Sequence, residues 1–112
     1  MQVLDSKVVS ELREMLDDEV DELFDELIQI VPQTLATMTE CAASGDLKSI
    51  EEKAHLIKGS ASNLGVMVFA EACRQLEEGL RAGDISEPAA HLLILNDTFA
   101  QAVVEIKAMA EL

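Results

Sequence analysis

The run His55-Leu56-Ile57-Lys58-Gly59-Ser60-Ala61-Ser62-Asn63-Leu64-Gly65 sets a nucleophilic imidazole, a lysine one turn later and a glycine on one strip of what reads as a helix. A glycine in a helix interior costs roughly 1 kcal/mol against alanine, so its place beside the histidine reads as space kept open for something large to approach.

The elements that must carry this strip are all helical. Apolar residues recur at spacings of 3 and 4 throughout, and only 3% of the chain is aromatic. A short first helix fits about residues 5–15, with Asp5 or Ser6 as N-cap. A second fits 17–43 and ends at Ser44-Gly45, with Pro32 inside it expected to kink or split it. The third follows a cap at Asp46 and carries Leu47, Ile50, Ala54, Ile57, Ala61 and Leu64 before Gly65. The fourth fits 66–82 and stops at Gly83. The last begins at Ser86-Glu87-Pro88, a cap followed by proline in the first turn, and runs to the end of the chain. Four long amphipathic helices with short connections predict an antiparallel four-helix bundle, with the short N-terminal helix packed on one end. All 112 residues read as one domain, without repeat, linker or low-complexity segment.

At about 100° per residue, the apolar stripe of the third helix lies roughly 130° from His55, which therefore faces solvent. The same arithmetic gathers Lys48, Glu51, Glu52, Lys58, Gly59 and Ser62 within about 60° of it. His91, near the apolar stripe of the last helix, reads as a structural residue. Cys41 and Cys73 lack redox or zinc spacing and read as small buried or half-buried hydrophobes.

Charge narrows the function. The chain has 8 Lys+Arg against 22 Asp+Glu, a formal charge of minus 14, which opposes broad contact with nucleic acid or anionic lipid. Residues 1–26 hold ten acids and two bases, while Lys48, Lys53, Lys58, Arg74 and Arg81 fall in the middle segment. No basic, apolar leader follows Met1 and no stretch reaches the length of a membrane span, so a cytoplasmic protein is expected, and the reading as a whole is of a monomer.

The motif resembles that of the histidine-containing phosphotransfer (HPt) domains of two-component phosphorelays, His-x-Leu-Lys-Gly-Ser-Ala-x-x-hydrophobic-Gly on an exposed helix of a four-helix bundle. His55, Lys58, Gly59, Ser60, Ala61, Leu64 and Gly65 match it, with Ile57 in place of the usual leucine, and residues 54–83 carry the specific identity. The resemblance implies a carrier that accepts a phosphoryl group on His55 from a receiver-domain aspartate of a hybrid sensor kinase and passes it to a response-regulator aspartate. It implies no cofactor on this chain, Mg²⁺ belonging to the receiver. It also implies a bacterial protein, free-standing or the terminal domain of a hybrid kinase. In several members a Gln or Glu on the next helix approaches the histidine, and Glu77 stands at that position; Glu51 and Glu52 are weaker candidates.

A neutral imidazole is a good nucleophile at phosphorus, and the ordinary pKa of about 6.5 leaves most such rings neutral near pH 7. A carboxylate accepting from Nδ1–H would leave the lone pair on Nε2, pointing outward. Lys58 would offset the added phosphate charge, and Gly59 would admit the partner's loops. Lys48, Glu51, Glu52, Leu56, Gly59, Ser62 and Arg74 are expected at the partner surface, with Lys48 and Lys58, joined by Arg74 or Arg81, forming a local positive field. Gly65 lacks the Lys-Ser/Thr of a nucleotide-binding loop, so no ATP-dependent kinase activity is expected.

Two other classes compete. Glu52-Lys53-Ala54-His55 has the Glu-x-x-His spacing of di-metal carboxylate bundles, but it lacks a second copy and faces outward. A helical adaptor that keeps the fold without the chemistry would have no need of Lys58 and Gly59.

Overall fold

The structure, a computed structural model, describes residues 2–110. Its helices are α1 (Ser6–Leu16), α2 (Glu19–Ser44), α3 (Leu47–Asn63), α4 (Met67–Arg81) and α5 (Ala89–Ala110). Aspartates start two of them. Asp5 accepts from the amides of Lys7 and Val8 at 3.0 and 3.3 Å, and Asp46 accepts from the amide and hydroxyl of Ser49 at 3.1 and 2.7 Å. Gly45, at φ 77°, ends α2 in the left-handed conformation that favours glycine.

α2 packs on α3, α3 on α4, α4 on α5 and α5 back on α2, which closes the four-helix ring, and α1 lies against α2. The interior is filled by Phe24, Met38, Ile50, Phe69, Leu76 and Leu95. Phe69 also meets Phe99 with ring centroids 4.9 Å apart and planes tilted by 60°.

Two expectations need correction. α2 runs through Pro32 as one helix, so the expected split does not occur. Pro32 is exposed and Ile28, whose carbonyl loses its amide partner, is half-buried, so the proline sits outside the packed core. At α5, Pro88 stands just before the first turn instead of within it, its carbonyl accepting from the Leu92 amide at 2.9 Å.

The α3–α4 turn is clamped by the N-terminal segment. Asp5 N–H donates to the Gly65 carbonyl at 2.8 Å and Met67 N–H to the Val3 carbonyl at 3.0 Å. Gly65 adopts φ 77°, and a Cβ there would stand 3.1 Å from Val8 Cβ, so the motif's last glycine serves a tight turn under α1. This clamp holds the end of α3 against the start of α4.

Candidate functional site

His55 and Glu77 lie on either side of that turn, ten residues before Gly65 and twelve after it. In an antiparallel pair, such positions come level across the helices. The result is a contact of 2.7 Å between His55 Nδ1 and Glu77 Oε2. The imidazole itself stays 61% exposed. A carboxylate can only accept, so Nδ1 carries the hydrogen and Nε2 is turned to solvent.

Glu77 is 1% exposed, the one buried charged side chain among the described residues. A buried carboxylate is tolerated only when paired and hydrogen-bonded, and here both oxygens are satisfied. Oε1 accepts from Lys58 Nζ at 2.6 Å, and Oε2 also accepts from the guanidinium of Arg81. Burial alone would raise the Glu77 pKa. The hydrogen bonds from Lys58, His55 and Arg81 outweigh it and hold the carboxyl down at about 2. Cys73, buried in the core, has its thiol pushed up to about 12 by desolvation, whereas Cys41 is half-buried.

Arg81 is the member of this cluster whose contacts the sequence reading missed. It is four residues after Glu77 on α4, the spacing that pairs acid and base on one helix face, and that spacing was the available signal. Its Nε also reaches Glu51 Oε2 at 3.5 Å, and Lys48 Nζ lies 3.6 Å from the same oxygen. Glu51 is thus taken up by Lys48 and Arg81, and the histidine's partner is Glu77.

The expected positive field does not form. Arg74 donates from Nε to Glu71 at 2.7 Å and from Nη1 to Glu78 at 2.6 Å, and hydrogen bonds to these two acids raise its pKa. It makes no hydrogen bond to His55 or Glu77. Lys48, Lys58, Arg74 and Arg81 each have an acid partner, so the neighbourhood is locally balanced in charge.

The surface around the imidazole has two depressions. Glu51, Glu52, Leu56 and Arg81 line one with His55; Lys58, Ser62, Met67 and Arg74 line part of the other. Leu56 is 67% exposed, and nothing lies within 4 Å of where a Cβ on Gly59 would stand. Ser60 donates to the Leu56 carbonyl at 3.3 Å and lines an apolar groove with Leu23, Leu27, Ile30, Ile57 and Leu64 between α2 and α3. The sequence reading missed this groove, although Ile30, an isoleucine off the core stripe of α2, marked it. Glu52 is exposed and lines the first of these depressions beside His55, whereas His91 is half-buried on α5. Among the described residues no group of three or more His, Cys, Asp or Glu is placed to hold a metal, and no helix is long and apolar enough to cross a membrane.

A comparison with curated proteins gave no match. Among solved structures, the chain is similar to the crystal structure of histidine-containing phosphotransfer protein B (HptB) from Pseudomonas aeruginosa PAO1. The TM-score is 0.91 at 28% identity, covering 97% of this chain and 95% of that one. The family model described as the Hpt domain matches residues 11–110, from α1 through α5 and across the whole His55–Glu77 cluster, and the chain belongs to that family.

Proposed function

We propose that His55 is the phosphorylated residue of a relay carrier that takes its phosphoryl group from an aspartyl phosphate on one receiver domain and delivers it to an aspartate on another. Nε2 attacks phosphorus. The N–P bond forms as the P–O bond to the receiver aspartate breaks, and that aspartate leaves as a free carboxylate. Nδ1 keeps its hydrogen and Glu77 balances the positive charge left on the ring. Delivery to the second receiver is the reverse step. Mg²⁺ on the receiver, not on this chain, supplies the remaining charge compensation.

The observation that carries this reading is the pairing of a largely exposed imidazole with a buried, ionised carboxylate on Nδ1. Lys58 is 28% exposed, so it can turn from Glu77 toward an arriving phosphoryl group, and Arg81 can follow. Open space at Gly59 gives a receiver's loops an in-line approach, and Leu56 with the α2–α3 groove offers apolar surface beside the ring. The test is incubation with a panel of phosphorylated receiver domains. The protein should gain an acid-labile, alkali-stable label from at least one of them. His55→Gln should abolish labelling and His91→Gln should leave it unchanged; a labelled His55→Gln protein would assign the phosphate elsewhere.

A further inference from the structure

Lys48, Lys58, Arg74 and Arg81 stand around His55 without forming a positive field, and one carboxylate takes up two of them. Glu51 lies one turn before His55 on α3, its side chain only 14% exposed. Its Oε2 is 3.6 Å from Lys48 Nζ and 3.5 Å from Arg81 Nε. Among the described residues Lys58 is paired with Glu77 alone, whereas Arg81 is shared between Glu77 on its own helix and Glu51 on α3. Glu51 and Arg81 also line one depression with His55, so a phosphoryl group on the exposed ring would stand beside both.

We infer that Glu51 is a positioning residue that withholds Lys48 and Arg81 from the phosphorylated ring, and so keeps His55 a weak resting place for the phosphoryl group. The inference rests on the reading of His55 as the phosphorylated carrier and adds what sets its readiness to let go. A phosphoryl group carries about two negative charges near pH 7. Held by every base within reach, it would lie lower in energy than when Lys58 alone turns to it, and passing it to a receiver would cost more.

The charged groups around the phosphoryl group are Lys48, Glu51, Glu52 and Lys58 from α3 and Glu77 and Arg81 from α4. Glu51 acts twice and in one direction. Its carboxylate repels the added charge, and it occupies two bases that would offset that charge. Glu52, the next residue, lines the same depression but pairs with no base among the described residues, so it supplies only the repulsion and is the natural control. Glu52 is also exposed, where water and salt screen it more than they screen the half-buried Glu51.

Phosphoramidate supplies a test that needs no receiver: Nε2 attacks phosphorus, the donor's N–P bond breaks and ammonia leaves. The chain has two histidines, so in a His91→Gln background His55 alone can take the label. Phosphorus NMR against pH then gives the midpoint at which the phosphoryl group loses its last proton, a readout of local charge. Glu51→Gln should lower that midpoint by about half a pH unit, and Glu52→Gln by less than half as much. With Arg81→Gln already in place, the Glu51→Gln shift should fall by about half, since one of the bases it frees is gone. With a receiver that labels the protein, Glu51→Gln should move the transfer equilibrium about 3-fold toward His55. Equal shifts for the Glu51 and Glu52 variants, an undiminished shift without Arg81, or an unmoved equilibrium would each overturn the inference. A protein labelled by phosphoramidate but by no receiver would sink the carrier reading instead, and the midpoints would still decide the role of Glu51.

Discussion

Gly59 and Gly79 are both helix-interior glycines, on neighbouring helices, and their surroundings are opposite. Around Gly59 on α3 there is nothing within 4 Å of a would-be Cβ. At Gly79 on α4 that atom would fall 2.6 Å from Ile85 Cγ1 and closer still to Cδ1. The α4–α5 connection also folds back there, with the amides of Asp84 and Ile85 donating to the Gly79 carbonyl at 2.8 and 3.1 Å. A mid-helix glycine therefore announces that space is needed, but not who fills it. At Gly79 the occupant is the chain's own isoleucine, and at Gly59 the place is open.

The comparison can be broken most sharply at Gly59. A glutamine there should leave the fold and melting temperature intact yet cut receiver-to-His55 transfer by roughly 100-fold, since its side chain would hold the phosphoryl group out of line. A normal transfer rate in Gly59→Gln would mean that the open space serves no partner.

Between the two glycine faces lies Glu77, which binds His55 and Lys58 of α3 to α4, and its contribution can be read from pH. Burial opposes its ionisation, but the bonds from Lys58, His55 and Arg81 hold its carboxyl at about 2 against an ordinary 4.5. The native state thus binds fewer protons than the unfolded chain between those values. The stabilisation is complete above about pH 4.5 and is lost as pH falls through about 2, on the order of 3 kcal/mol in all. Urea melts between pH 7 and 2.5 should show this slope in the wild type and lose most of it in Glu77→Gln. An equal slope in both would place the acid sensitivity in other carboxylates.

Gly79→Ala should destabilise by about 2 kcal/mol, because the clash with Ile85 exceeds the gain in helix propensity. Pairing it with Ile85→Ala should recover part of the loss, a coupling that a double-mutant cycle measures. Gly59→Ala should do the reverse and stabilise by up to about 1 kcal/mol, read as a small rise in melting temperature. If both alanines shift stability in the same direction, the distinction between the two glycines fails.

The helices were legible in the sequence because caps and apolar spacing are local signals. Asp5, Asp46 and Gly45 sit at helix ends, and α3 begins directly after its expected aspartate cap. Pro32 does not split α2, because whether a proline breaks a helix depends on its surroundings in the packed fold, which is a tertiary fact. His55 was legible as an exposed residue, since one helix's periodicity decides which way it points. The local charge balance was not, because long side chains choose partners across helices. Lys58 and Arg81 could have faced solvent or any of several acids until α3 and α4 were set level.

The sequence by itself determined the all-helical class, the outward strip of His55, Lys58 and Gly59, and the family motif that contains them, since each follows from residue type and spacing within one helix. Only the tertiary structure decided that Glu77 is buried under His55 with Lys58 and Arg81 on its oxygens, and that Arg74 is held by Glu71 and Glu78. Those depend on which helices become neighbours and at what level they meet. Here packing and the clamp on Gly65 set both, and distances of a few ångströms between side chains far apart in the chain are the result.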